Sequence, residues 1–404
     1  MRVAVIGTGV TGRAVVDFCL GRAIEVVVCD VAQISPEYKE FLHQRAVVFK
    51  DGGYDGGLLD SADVVVISPS VRPENLPCDK TKVISELDFA QRFFDGKIIA
   101  ITGTNGKTTT VSFINELLVR VGYNSVAAGN IGLPFISVIN GKLDWVVLEV
   151  SSFQLYGSRE FCPNLAIILN IAPDHLNWHK DFDEYVEAKL SIAARMRDDG
   201  VLFLNKQDPI LTSVKISGPR IRFFQDNKIL NEDFAAAKAL SDFLGIDEKI
   251  FFQTLERFTK PKYRLELIAE FNGVSFINDS KATNVASTIF GLKELKGRYC
   301  KVILVCGGSS KLDDFSPVLR FKDLVRSICA YGQEGMRIKE VLGGEIPVFV
   351  FERLEDAFEL ALNQAKQGDA VVLSPMCASF DQYRDYKQRG EHFEQLVRDY
   401  ICSN

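Results

Sequence analysis

Ile101-Thr-Gly-Thr-Asn-Gly-Lys-Thr-Thr-Thr110 follows directly on the apolar run Lys97-Ile-Ile-Ala-Ile-Thr102, and its reading decides the fold. A buried strand that runs into Gly103-x-x-Gly106-Lys107-Thr108 and then into a helix is a cradle for nucleotide phosphates. Backbone N–H groups of the turn converge on phosphate oxygens, Lys107 neutralises the β- and γ-phosphates, and the Thr108 hydroxyl is offered to Mg²⁺. Gly103, Thr104, Asn105, Gly106, Lys107, Thr108 and Thr109 are therefore the candidate ATP-binding residues. Only Thr104-Asn105 separates the two glycines, where the usual signature has four residues.

Outward from this loop the chain reads as α/β. With 404 residues it is long enough for about two to four domains. Residues 1–93 alternate strands (Val3–Gly7, Glu25–Asp30, Val64–Ser68) with helical patterns, which predicts a parallel sheet. Residues 94–259 hold the phosphate loop and strands at Trp145–Glu149, Ala166–Asn170 and Gly200–Leu204. Residues 260–404 carry strands at Val302–Cys306, Ile328–Tyr331, Val348–Phe351 and Ala370–Leu373 between helical stretches such as Arg353–Gln367.

Composition narrows the partners. A net charge of −6 and a pI near 5.5 argue against a broad nucleic-acid surface. No run approaches the ~18 apolar residues of a membrane span, and the start lacks a secretory signal, so the expected location is the cytoplasm. The nine cysteines show no Cys-x-x-Cys spacing and read as reduced core thiols, neither a disulfide frame nor a zinc site.

Near the N-terminus, Gly7-x-Gly9-x-x-Gly12 with Asp30 at the end of the next strand is a dinucleotide fingerprint, and a nicotinamide dehydrogenase is the rival it supports. The same glycines seat any diphosphate, and a second phosphate loop in the chain favours a UDP-bearing substrate. Ser68-Pro-Ser-Val-Arg-Pro73 is either a second ligand loop or a plain turn. Glu149 ends a buried strand, where a carboxylate is costly unless paired or bound to metal. His175 follows Asp174, and two of the four histidines, His175 and His179, fall within five residues. Glu149 and His175 are candidate Mg²⁺ ligands, and His179 an ordering or surface residue. Lys189 lies in an amphipathic helix and by itself reads as a solvated cation.

Taken together, Gly-Thr-Asn-Gly-Lys-Thr108, Gly129-Asn-Ile-Gly132, Glu149-x-Ser-Ser-Phe-Gln154, Asn170-Ile-x-Pro-Asp-His175, Asn278-Asp-Ser-Lys-Ala-Thr-Asn284 and Ser374-Pro-Met-Cys-Ala-Ser-Phe-Asp-Gln382 resemble the Mur ligases, in order and over essentially the whole chain. The last two runs are closest to the branch that adds D-glutamate to UDP-N-acetylmuramoyl-L-alanine. The resemblance implies three α/β domains: N-terminal Rossmann-like, central P-loop ATPase-like and C-terminal Rossmann-like. It implies ATP-dependent amide synthesis in peptidoglycan precursor assembly through an acyl phosphate, with domain closure completing the site.

By the same resemblance the catalytic set is Lys107, Glu149, His175 and Lys189, and Lys189 matches a lysine carbamylated with CO₂. Thr108, Glu149, His175 and that carbamate would hold two Mg²⁺ ions. Asn231, Arg264 and Asp279 match nucleotide-contacting positions. Gly9, Val10, Thr11, Asp30, Ser68, Asn130, Ser151 and Gln154 fall to the UDP-substrate, and Thr283, Lys311, Ser379 and Tyr386 to D-glutamate. Lys281 matches a motif lysine whose partner is left open, while Tyr386 as plain core and Lys311 as a turn cation stay open as alternatives. Departures from the pattern are Phe234 for an adenine-side asparagine, Ser70 for a glycine and Tyr263 for a histidine. Phe234 is expected to stack where a hydrogen bond is lost. The partners implied are small molecules, with no nucleic acid and no membrane, and the protein a monomer.

Overall fold

The computed structural model describes residues 1–403 except 177, 228, 260 and 310–313. Among these the named strands form three sheets. The first holds β1 (Arg2–Ile6), β2 (Glu25–Cys29), β3 (Val48–Lys50), β4 (Val64–Ile67) and β5 (Val83–Ser85), all parallel, in the order β3-β2-β1-β4-β5. The second holds β6 (Lys97–Thr102), β7 (Ser125–Gly129), β8 (Trp145–Glu149), β9 (Leu165–Ile168), β10 (Val201–Asn205) and β11 (Arg220–Phe224), parallel in the order β11-β10-β9-β6-β8-β7.

The third sheet holds β12 (Glu266–Phe271), β13 (Val274–Asn278), β14 (Val302–Gly307), β15 (Val325–Tyr331), β16 (Val348–Phe351) and β17 (Ala370–Met376), ordered β12-β13-β17-β14-β15-β16. The β12–β13 pair is antiparallel and the other pairs are parallel. The expected strands all form, within a few residues of their predicted ends. The β12–β13 hairpin was not anticipated.

Continuous apolar runs make the central strands, because helices cover both faces of a parallel sheet. Ile98–Ile101, Val146–Leu148 and Ala166–Ile168 are at most 3 % exposed. A phenylalanine-rich layer backs the second sheet, where the helices Lys107–Arg120, Glu232–Phe243 and Glu248–Arg257 bring Phe113, Phe234 and Phe251 together. By contacts the chain divides into two compact units, Met1–Ile171 with Asp183–Phe258, and Ala172–Phe182 with Thr259–Asn404. The first two sheets share the first unit. The described cysteines are all free thiols.

Candidate active site

In the first unit, β6 delivers Gly103 at its carboxyl end and the helix Lys107–Arg120 starts four residues later. Gly106 holds φ +81°, and a Cβ there would stand 2.0 Å from Asp233 Oδ1, so any side chain would strain the turn and have to displace that carboxylate. The loop is fastened from below by Asn170, whose Oδ1 accepts the Thr104 N–H (3.1 Å) and the Asn105 N–H (2.9 Å). Lys107 Nζ donates to the carbonyls of Gly103 (2.7 Å) and Thr104 (3.0 Å).

Lys189 is 1 % exposed, which overturns its reading as a solvated cation. Its Nζ donates to the same Gly103 carbonyl at 2.8 Å and lies 4.7 Å from the centroid of the Tyr185 ring. The Tyr185 hydroxyl is hydrogen-bonded to Thr104 Oγ1 at 2.9 Å. The cause is the helix face: Tyr185, Ala188 and Lys189 are the buried residues of Phe182–Leu190, at the three- and four-residue spacing of one helical stripe.

Beside the loop, the Glu149 carboxylate at the end of β8 is 3 % exposed. Its Oε2 accepts from Thr108 Oγ1 (2.7 Å) and its Oε1 from Asn130 Nδ2 (2.9 Å). A buried carboxylate next to a hydroxyl makes a hard, oxygen-only donor set. Thr109 is buried in the same first helical turn.

Asn231 caps the helix Glu232–Phe243, its side chain accepting from the Phe234 N–H at 3.3 Å. Phe234 is not presented to a base. Its ring packs edge-on against Phe113 (5.1 Å) and Phe258 (5.9 Å) inside the core, because burying an aromatic among aromatics outweighs exposing it at a helix start. Neighbouring Glu232 accepts from Asn170 Nδ2, and burial pushes its carboxyl up to about 8. Asn170 and Glu232 thus support the phosphate loop from behind. Sequence reasoning assigned neither a role, although Asn170 opens a quoted motif.

In the first sheet, Thr8 donates from its N–H and its hydroxyl, both at 2.7 Å, to Asp30 Oδ2, while Asp30 Oδ1 takes the Ala32 N–H at 2.9 Å. Asp30 therefore fastens the glycine turn. A Cβ on Gly12 would fall 1.8 Å from the Gly7 carbonyl oxygen, which is why helix and turn pack so closely. Gly9, Val10 and Thr11 lie at the start of the helix Val10–Gly21, with Gly9 and Val10 exposed. Ser68 Oγ is buried with no partner among the described residues. Ser151 and Gln154 engage each other in a capping box over Ser152–Tyr156. Arg72 from the Ser68–Pro73 loop pairs with Glu184 at 2.6 Å, on the helix that carries Lys189.

The second unit holds His175, whose φ is +56°. Its Nε2 stands 3.4 Å from Asp174 Oδ2, and Asp174, 4 % exposed, accepts from Asn284 Nδ2 at 2.6 Å. His179 is 2 % exposed, so the surface alternative falls. Its N–H closes a turn onto the His175 carbonyl. At the end of β13, Asp279 accepts from the Leu265 N–H (3.2 Å) and from Ser374 Oγ (2.8 Å). Arg264 sits between Tyr263 and Leu265, both at positive φ (+65° and +48°).

Ser379 is 3 % exposed and Thr283 half-buried. Tyr386 opens the helix Tyr386–Ser403 with Lys281 Nζ 4.2 Å from its ring centroid. Lys311 lies outside the described residues. Among the described residues no group of three or more His, Cys, Asp or Glu side chains is arranged to hold a metal ion.

Comparison with known proteins sets this geometry in a family. Family models match along the chain: the N-terminal domain of MurD-like Mur ligases at residues 1–81, the Mur ligase middle domain at 101–274, and the Mur ligase glutamate ligase domain at 263–377. The UDP-N-acetylmuramoylalanine–D-glutamate ligase of Thermosipho africanus is 33 % identical, over 98 % of both chains. The chain belongs to the Mur ligase family. A second relative with the same name, from Acidobacterium capsulatum, is 32 % identical to this Mur ligase over 98 % of the chain and 96 % of its own length.

Solved structures share the ligase fold at lower identity. MurF of Thermotoga maritima, in complex with ADP, superposes with TM-score 0.65 at 16 % identity over 93 % of this chain and 95 % of its own. A pseudomurein peptide ligase type C from Methanothermus fervidus gives 0.59 at 18 %, over 99 % of both. The three-domain α/β architecture of the Mur ligases is the one expected from the motifs. Among the described residues no helix is long and apolar enough to cross a membrane.

Proposed function

We propose that the chain is the ATP-dependent ligase that joins D-glutamate to UDP-N-acetylmuramoyl-L-alanine in peptidoglycan precursor synthesis. The observation that carries the chemistry is the Thr108–Glu149 pair at 2.7 Å beside the phosphate loop, an anion and a hydroxyl where a nucleotide's divalent ion is needed. The step follows from relatives of that name along the full length.

In the proposed reaction an oxygen of the alanyl carboxylate attacks the γ-phosphorus, ADP leaves, and an acyl phosphate forms. The amine nitrogen of D-glutamate then attacks the acyl carbon, loses a proton, and inorganic phosphate departs from the tetrahedral intermediate. Negative charge grows in both steps, so cations and fixed N–H donors dominate. Lys107 exchanges its two carbonyl contacts for phosphate oxygens, and the Thr104–Thr109 backbone surrounds them. Asn231, Arg264 and Asp279 meet the rest of the nucleotide.

Thr108 and Glu149 have the oxygen donors that Mg²⁺ prefers, and His175 is assigned to the same task. Lys189 fits a metal only as a carbamate, because an ammonium repels one. Two Mg²⁺ ions held this way would polarise phosphoryl oxygens. Gly9, Val10, Thr11, Asp30 and Ser68 seat the UDP group, and Asn130, Ser151 and Gln154 the muramoyl-alanine portion. Thr283, Lys311, Ser379 and Tyr386 hold D-glutamate. Domain boundaries at 93/94 and 259/260, a monomeric state and a cytoplasmic location complete the proposal. The test is phosphate release from ATP, expected only when UDP-N-acetylmuramoyl-L-alanine and D-glutamate are both present. Release with L-glutamate in its place, or with D-glutamate omitted, defeats the assignment.

A further inference from the structure

Among the described residues Arg389 is the largest fully buried side chain, at 0 % exposure. Among the described residues no carboxylate pairs with it. Its guanidinium is instead spent on loop backbone of the second unit. Nε donates to Ser280 Oγ (3.1 Å) and an Nη2 hydrogen to the Ser280 carbonyl (2.9 Å). Nη1 donates to the carbonyls of Cys377 (3.1 Å) and Ala378 (3.2 Å), with Gly307 at 3.5 Å. Ser280, Cys377 and Gly307 lie at or just beyond the carboxyl ends of β13, β17 and β14, three neighbours in the sheet.

Two further bonds close the clamp, Ser280 Oγ to the Tyr386 carbonyl (2.8 Å) and Asn278 Nδ2 to the Gly390 carbonyl (2.9 Å). A Cβ on Gly308 would stand 2.1 Å from the Ala378 carbonyl and 3.2 Å from Arg389 Nη1, so the loops close tightly round the cation. A buried charge with no paired anion is costly, although an apolar residue would in turn leave these carbonyls without donors. Carbonyl acceptors satisfy its hydrogens but leave the net charge, at the sheet edge where α/β proteins bind ligands. Thr283, Ser379 and Tyr386 sit within a few residues of the clamped positions.

We infer that Arg389 is the positioning residue of the amino-acid site: it sets the 279–283 and 377–379 backbones and directs a positive field toward the dicarboxylate, without touching it. This rests on the ligase reading above. That reading is tested separately by the wild-type requirement for D-glutamate.

The experiment is steady-state phosphate release by Arg389→Lys, varying each substrate in turn. Lysine keeps the charge but not the planar five-donor fork. The KM for D-glutamate should rise about tenfold or more, while those for ATP and the UDP-substrate stay within about twofold. Ser280→Ala keeps Arg389 and removes one acceptor, and should shift the D-glutamate KM the same way by less. A lowered Tm with the D-glutamate KM within about twofold of wild type, or an equal rise in all three KM values, overturns the inference. If Arg389→Lys does not fold, Ser280→Ala decides by the same criteria.

Discussion

At the residue scale, the decisive contacts are made by lysines whose partners are carbonyls in this structure. Lys107 donates to the Gly103 and Thr104 carbonyls within the loop, contacts that the proposed reaction has it exchange for phosphate oxygens. Lys107→Ala should abolish phosphate release, a loss on the order of 10³-fold or more, while the melting temperature shifts little. Nucleotide-dependent turnover at a tenth of the wild-type rate would refute it. Lys189→Ala should be nearly inactive and regain part of its rate with added formate or acetate, which supply the missing carboxylate. Normal turnover without additive would sink the carbamate.

The gathering of Lys107, Thr108 and Glu149 round one loop was legible because a glycine turn after a buried strand and a strand-end acid both fall at the same edge of a parallel sheet. Lys189 was not. A lysine in an amphipathic helix looks solvated until the facing loop is known, and only the resemblance singled it out. Phe234 misled for the opposite reason, since a lost polar residue drew attention to a ring that had simply joined the core.

At the element scale, the helix Glu86–Gln91 joins the first two sheets. Its first residue is a buried carboxyl whose Oε1 accepts the Ile136 N–H at 2.6 Å and whose Oε2 has no partner among the described residues. Burial pushes Glu86 up from 4.5 to about 7. The folded protein then holds a proton that the unfolded chain releases, so this contribution is fully present below pH 4.5 and is lost as pH rises through about 7. Glu86→Gln, neutral throughout, should gain stability relative to wild type as pH increases from about 5 to about 8. Denaturation midpoints with a constant difference across that range would contradict it.

Strands such as β8 and β14 were readable because burial on both faces leaves an unbroken apolar run. β12 was missed because Glu266-Leu-Ile-Ala-Glu-Phe271 lies on an edge, half-exposed, without such a run. The hairpin had left a mark all the same. Asn272-Gly273 takes positive φ at both positions (+50° and +75°), the dipeptide of a tight turn between antiparallel strands.

At the scale of the whole molecule, the first two sheets share one contact unit, and Asp88 shows why. Fully buried, it accepts the Ser85 N–H (3.0 Å), Ser158 Oγ (2.6 Å) and the N–H groups of Arg159 and Glu160 (both 2.9 Å). The ion pair Arg92–Glu160 adds to the seam at 2.7 Å. Asp88→Asn turns an amide NH₂ against two of the four donors and should cost ~2–4 kcal/mol. Calorimetry should then show the N-terminal sheet melting ahead of the second, whereas wild type should unfold them together. A single unchanged transition would count against the seam.

The path of the chain between the units has a practical consequence. It leaves the first unit after Ile171, returns at Asp183 and departs finally after Phe258, so three peptide junctions link the two bodies. One cut in the gene cannot yield two self-sufficient fragments. A fragment ending at Phe258 would strand the Asp174–His175 turn without Asn284, and expressing the halves for reassembly would require grafting that short excursion onto its rightful neighbour.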